Sequence, residues 1–346
     1  MMAIKDVVGA QPDRSTGVGP KVDVRKLTDL AKAQSLVIFV VLVAIVIGFA
    51  ILAPNTFAQP SNLRLIAQNA AILLVLGVGA TFVIVTGGID LSVGSVLVFS
   101  GVTASLVMKA IGGDGWATAL AGLAVAVLSG VVWGIVNGLL IAKAKVPAMI
   151  VTLGTMGIAL GIALVLTGGE DIRGVPAVLA DTIGYGNVFL NIPVLVVIAA
   201  LIAVIGMIGL NATRFGLYTR AVGSNAESVK RSGVNVSAHL IKVYAVAGLC
   251  AGLGGLLSIS QFSTTAISGH STTNLSVITA VILGGTSLFG GVGGVFGTVV
   301  GVLIPAVLQN GFIITGVAPF WQPVATGTVL IIAVYVDQLR RSKTSV

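Results

Sequence analysis

From Val243 to Val336 the chain carries no Asp, Glu, Lys or Arg. An uncharged run of that length leaves a soluble fold almost nothing polar with which to face water. In a bilayer the same run must satisfy its backbone hydrogen bonds within each segment, so it folds as consecutive helices. At about 20 residues per crossing it holds four spans, placed at Val243–Phe262, Ser276–Gly290, Val292–Gly311 and Phe320–Val336. Upstream, charged residues separate six further apolar runs: Leu36–Ala53, Leu63–Thr86, Leu91–Met108, Trp116–Ala142, Met149–Thr167 and Pro193–Leu210. The expected fold is an all-α integral membrane protein of about ten transmembrane helices.

Composition agrees. Charged residues make up 9% of the 346 residues and mean hydropathy is +1.10, whereas a soluble domain carries about 25% charged residues. The 46 glycines suit membrane helices, where small residues let backbones approach. A net charge of +8 is no sign of nucleic acid, because the basic residues sit in short segments between apolar spans and orient the chain in the membrane. Cys250 is the single cysteine, which excludes a disulfide framework and a thiol–metal cluster. His239 and His270 are expected in loops on opposite sides, as neither a metal pair nor a nucleophile's base.

Residues 1–34 are polar and mixed in charge, and read as a cytoplasmic tail. The first apolar run ends at Pro54-Asn55 rather than at a small-residue cleavage site, so it reads as an anchor. With the N-terminus inside, the inner segments contain Lys143 and Lys145, the basic centre of the chain, and Arg340, Arg341 and Lys343. Lys109, Asp114 and the acidic stretch around Glu170 fall outside. That is the distribution of the positive-inside rule, with both termini cytoplasmic. The membrane body is expected over 35–341 and a short tail over 342–346.

Thr213–Lys242 is the most polar interior segment, with Arg214, Arg220, Lys230, Arg231 and Lys242 against the single acid Glu227. Ser224 and Glu227 have capping-box spacing, and Gly233 can adopt the left-handed conformation that closes a helix. A short helix over Asn225–Ser232 follows. A solvated basic loop would share its charge; the cap, the stop and the length add the reading of a docking element. Its candidate residues are Gly223, Ser224, Asn225, Ala226, Glu227, Lys230, Arg231, Ser232 and Gly233.

Thr86–Ser95 breaks the apolar pattern between two spans. Gly87 and Gly88 interrupt the helix, and Asp90 and Ser92 can satisfy the first amides of the next one. Asp90 is either a cap that meets the helix dipole or a functional group near hydrocarbon, and the two are compatible. Gly87, Gly88, Asp90, Ser92 and Gly94 are candidates for supporting a gate. Two further runs resemble each other: 130–141 aligns with 293–304, seven of twelve positions identical. Gly130, Gly134 and Gly138, mirrored by Gly293, Gly297 and Gly301, would form smooth faces for tight helix crossings. Such duplication is common in transporters, although glycine-rich helices also match by composition. A second match, Gly87-Gly88 with Gly284-Gly285, has a different offset and is discounted. Gln68, Asn69, Asn137, Thr152, Thr155, Gln261, Gln309 and Asn310 lie within spans, where they bridge helices or line a hydrophilic route.

No G-x-x-x-x-G-K-[ST] phosphate loop is present, so any ATP is hydrolysed elsewhere. No charged pair sits mid-membrane to carry protons or a driving cation. A secondary transporter would need such a site, and an intramembrane enzyme would need a nucleophile–base or metal constellation. A passive channel would not need the docking helix.

The runs GGIDLSVGS at Gly87–Ser95, VPAMIVTLGTMGIALGIALVLTGG at Val146–Gly169, AVGSNAESVKRSGVNV at Ala221–Val236 and AVILGGTSLFGGVGGVFGTVVG at Ala280–Gly301 resemble one family. It is the permease family of bacterial ATP-binding-cassette (ABC) sugar importers, the ribose, xylose and galactose group. The resemblance extends from about Leu36 to Arg341; one departure is Ala148-Met149, where many relatives read Pro-Phe. It implies a non-catalytic permease with two duplicated halves, similar to the type II ABC importers, in the bacterial inner membrane. It also implies three partners: a second copy of the permease, a cytoplasmic ATPase that binds ATP and Mg, and a periplasmic sugar-binding protein. The central helix would then be the ATPase-coupling element, and the cargo a monosaccharide or related polyol moved by alternating access. The chain itself would hold no cofactor or metal and contact lipid but no nucleic acid.

Overall fold

The computed structural model describes residues 39–318 and 320–344; the expected N-terminal tail lies outside them. Among the described residues the protein is helical, with no strand and two isolated bridges, Arg173 with Thr264 and Asn187 with Pro193. Seven helices among the described residues are long and apolar enough to cross a membrane. They are α2 (Pro60–Val85), α3 (Val93–Ile111), α4 (Trp116–Ala142), α5 (Ala148–Thr167), α7 (Val194–Ala212), α9 (Val236–Phe262) and the pair α11 (Val295–Gly301) and α12 (Leu303–Ile314) taken as one span. Around them lie α1 (Phe39–Leu52), α6 (Ala177–Leu179), α8 (Arg214–Arg231), α10 (Thr273–Leu283) and α13 (Trp321–Thr344).

The centre of the bundle is α2. Every residue from Ala70 to Val85 is buried, as befits a helix apolar on all sides. It packs against α7, α9, α10, α11 and α12. By contrast α4, α5 and α7 leave large side chains outward, among them Leu128, Val132, Ile150, Leu153, Val165, Leu201 and Ile205. In water such a surface would drive association; in a bilayer it meets lipid at no cost.

Several expected boundaries move. The span expected at Ser276–Gly290 is the eleven-residue α10, followed by an irregular stretch over 284–294. The span expected at Val292–Gly311 starts later and breaks at Val302. Pro305 accounts for that break: it has no N–H for the Gly301 carbonyl, and its ring crowds that oxygen. The helix expected from Val243 begins at Val236, so His239 and Lys242 belong to α9 rather than to a loop. Finally α13 runs on to Thr344, past the expected end at Val336 and into the expected 342–346 tail.

Candidate functional site

Two helices end against each other by the same device. At the end of α2, Gly87 N–H donates to Ile84 O (2.9 Å) and Gly88 N–H to Val83 O (3.1 Å), with Gly87 at φ +79°. At the end of α10, Gly285 N–H donates to Ile282 O (2.9 Å) and Thr286 N–H to Val281 O (3.2 Å), with Gly285 at φ +88°. Both are Schellman closures, which need a left-handed residue that glycine supplies without strain. The discounted pair of glycine dipeptides therefore occupies equivalent turns, one residue out of the register in which the dipeptides align.

The segments that follow these turns meet. Gly291 N–H donates to Val85 O at 2.8 Å. A side chain on Gly290 would lie 2.8 Å from Gly87 N and 2.9 Å from Gly223 O, and one on Gly223 would collide with Val85 O. Four glycines, Gly87, Gly223, Gly290 and Gly291, thus bring three backbones into contact. The third backbone is that of α8.

That helix is bent at Asn225 (φ −161°, ψ 93°) just after the glycine contact. The capping box expected from Ser224 and Glu227 is not formed. Asn225 Oδ1 accepts from Ser228 N–H at 2.9 Å, whereas the Ser224 hydroxyl donates to Arg220 O at 3.0 Å. Extended geometry at Asn225 releases its side chain to cap the next turn, and that backbone choice moves the cap by one residue. Glu227 is instead 3.5 Å from Arg231 Nε, an exposed i,i+4 ion pair of small stabilising value. The stop is where the sequence places it: Gly233, φ +84°, donates to Lys230 O (3.0 Å) and Val234 N–H to Val229 O (3.4 Å). Helix 226–231 stands exposed beyond the bend, with Ala226, Lys230 and Ser232 open to solvent. Before the bend α8 is anchored. Thr219 shares a 3.1 Å hydrogen bond with His239 Nε2, and the His239 ring lies 4.9 Å from that of Phe215.

The loop between α2 and α3 is held by its own polar groups. Asp90 Oδ1 accepts from the Ser92 amide (2.8 Å) and hydroxyl (2.6 Å). Burial raises the Asp90 carboxyl above its ordinary range, and the two Ser92 bonds oppose the rise. Contrary to the expectation from the sequence, Asp90 does not cap α3; it braces the turn before it, while α3 starts at Val93. The helix start is satisfied from a distance, since Gly94 N–H donates to Asn274 Oδ1 of α10. Ser92 Oγ also accepts from Asn137 Nδ2 of α4 at 2.9 Å.

The glycine rows lie at two different contacts. Gly130, Gly134 and Gly138 face α9: added side chains would strike the backbones of Gly248, Tyr244 and Ile241 respectively. Gly301 and Gly297 instead face Ala280 of α10 and Gly284 just after it, while Gly293 precedes α11 and lies against Thr286. The other intramembrane polar groups mostly bridge helices. Asn62 and Asn310 exchange two amide bonds (3.0 and 2.8 Å), Gln261 donates to Asn69 (2.9 Å), and Gln68 to Gly184 O (3.1 Å).

A cavity of about 350 Å³ opens between α3, α5, the 268–271 turn and α10, with Ser95, Met156, Asp171, His270 and Asn274 on its wall. Asp171 Oδ1 accepts from Thr265 Oγ1 (3.0 Å) and Ile267 N–H (2.7 Å). His270 lies between the hydroxyls of Ser258 (2.8 Å) and Thr273 (3.2 Å), and burial pushes it down to about 4. The sequence offered no signal for Ser95, Met156 or Asn274, since each becomes notable only through what it faces across helices. Among the described residues no group of His, Cys, Asp and Glu could hold a metal ion.

Residues 62–334 match the model of the family described as the branched-chain amino acid transport system permease component. The chain belongs to that family. The permease is 36% identical over 315 residues to the ribose import permease protein of Escherichia coli strain K12, covering 90% of this chain and 95% of the relative. It is 37% identical over 306 residues to the ribose import permease protein of Bacillus subtilis (88% and 93%). With the fructose import permease protein of Rhizobium meliloti it shares 34% over 317 residues (89% and 86%). No solved structure matches the permease significantly.

Proposed function

We propose that this permease is the membrane-spanning subunit of an ATP-driven importer for a neutral monosaccharide. The observation that carries this reading is identity of 34 to 37% over about nine-tenths of the chain with proteins named as ribose and fructose import permeases. The family's own description names branched-chain amino acids, but the cavity wall offers no Lys or Arg to pair with a zwitterion's carboxylate. In this reading two copies enclose the route in the bacterial inner membrane, with both termini cytoplasmic. A periplasmic protein delivers the sugar, and a cytoplasmic ATPase, holding ATP and Mg, supplies the energy. The permease catalyses no covalent step.

Helix 226–231 is the proposed docking point of the ATPase. It is exposed, capped at both ends, and continuous with the glycine contact at Gly223, so a push on it reaches the backbone at the end of α2 and at Gly290 and Gly291 in the stretch that follows α10. Backbone-to-backbone contact has little slack, which suits it to carry displacement rather than absorb it. Among the described residues, Asp90 is a feature a proton-coupled carrier would share, as a buried carboxyl in a broken segment. Uptake of radiolabelled ribose, fructose and allose into vesicles holding the permease, an ATPase and a binding protein decides between them. ATP-dependent uptake that survives a protonophore is expected. Uptake abolished by the protonophore and indifferent to ATP would overturn the assignment.

A further inference from the structure

Three features of the cavity beside α3 point to one kind of ligand. Ser95 is 7% exposed, lines the cavity, and its hydroxyl has no hydrogen-bond partner among the described residues. Asn274 spends its Oδ1 on the Gly94 amide but its Nδ2 donates to the Met156 thioether at 3.3 Å. A thioether is a weak acceptor, so a solute oxygen there would be the better partner. Much of the remaining wall is apolar and includes Val98, Leu160 and Leu164. A free hydroxyl and an under-used amide donor among aliphatic side chains suit a ring that carries both hydroxyls and C–H groups.

We propose that this cavity is the permease's own solute subsite, and that it takes a neutral polyhydroxylated ring through Ser95 and Asn274. The volume of about 350 Å³ lies in the range of small-molecule sites. Charge narrows the class further. The wall carries an acid, Asp171, and no Lys or Arg, and His270, pushed down to about 4 by burial, adds no positive charge. An anionic solute would meet a carboxylate and no counter-ion, which disfavours sugar acids and sugar phosphates. Gly94 is what lets Asn274 approach: a Cβ there would collide with the Asn274 oxygen. The proposal rests on the sugar-importer reading and adds to it a site within this chain, separate from the choice a binding protein makes.

The test uses a reporter that leaves the polar groups intact. A side chain at Gly157, on the cavity wall in α5, meets nothing within 4 Å, and the one native thiol, Cys250, is buried. The full chain carrying Gly157→Cys is reacted in membrane vesicles with a small charged thiosulfonate, with D-ribose, D-fructose, D-allose, D-gluconate or L-leucine present. Slowing of the reaction by whichever neutral sugar the unsubstituted chain transports is expected, with no effect of gluconate or leucine. Adding Ser95→Ala should raise the half-protecting concentration about 2- to 10-fold, the value of one neutral hydrogen bond. Protection at Ser61→Cys, which lines a cavity that shares no residue with this one, is expected to be absent. If sugar is transported but the thiol introduced by Gly157→Cys is unprotected, or Ser95→Ala changes nothing, the subsite is wrong and the importer reading stands. If none of the three sugars is transported, the importer reading fails and the subsite with it.

Discussion

Replacing Gly134 by alanine tests the α4–α9 crossing with a single carbon atom. The added methyl would sit 2.9 Å from Ala245 Cα and 2.9 Å from the Tyr244 carbonyl carbon, and closer still to the Tyr244 oxygen. Favourable carbon–carbon contact needs about 3.5–4.0 Å, so α9 must retreat by more than half an ångström. Nothing flexible can yield, because the atoms in the way are backbone. The retreat loosens the contacts on either side of it, where Gly130 and Gly138 hold the same two helices together. Overpacking of this kind costs about 1–3 kcal/mol, against about 0.5–1 kcal/mol gained by replacing glycine within a helix. The net expectation is destabilisation of up to about 2.5 kcal/mol, and of about 1–3 kcal/mol relative to a helical glycine replaced without overpacking, read as a lower midpoint of thermal unfolding for the detergent-purified chain. Gly161→Ala in α5 is the internal control, since a side chain there meets nothing within 4 Å; it should be neutral or slightly stabilising. Equal midpoints for the two variants would show that α4 and α9 do not cross as closely as the structure has them.

Other expectations follow from the same contacts. Asn225→Ala removes the cap of helix 226–231 and should cost about 0.5–2 kcal/mol locally, seen as faster amide exchange over 226–231 with the global midpoint unchanged; unchanged exchange would remove Asn225 from that role. Glu227→Arg sets like charges four residues apart and, under the docking proposal, should leave membrane insertion intact while ATP hydrolysis no longer drives uptake; normal uptake would refute docking there. Asp90→Asn keeps an acceptor for Ser92 and should retain much of the transport, whereas Asp90→Ala loses both bonds and should slow turnover more than it weakens affinity. If only affinity falls, and equally in both, Asp90 touches the solute. His270 is lowered to about 4 when folded against a usual 6.5, so the unfolded chain binds the extra proton between those values and stability should decline as pH falls from 6.5 toward 4. The His270→Gln variant should show a shallower decline over that window, and an identical one would contradict the burial of the ring.

Much of this molecule was legible as a linear string because the bilayer imposes its constraint residue by residue. The uncharged runs, the glycines that stop α2 and helix 226–231, and the positions where α3 and α4 begin follow from hydrogen-bond satisfaction and backbone freedom, both local properties. The run from Val243 was harder, since with no charges to punctuate it only Pro305 and the glycine turns mark where α10 to α12 begin and end. Tertiary structure decided what those elements do to one another. Ser224 rather than Asn225 looked like the cap because side-chain spacing is visible in sequence and a bend in the backbone is not. Asp90 looked like a cap for α3 because the group that satisfies α3, Asn274, lies 180 residues away in the chain. The two glycine rows look alike as strings, yet one meets α9 and the other α10. For the same reason nothing in the sequence marks Gly223, Gly290 and Gly291 as one contact, or Ser95 and Asn274 as one wall. Close approach between helices is a property of pairs, and only the folded chain chooses the partner.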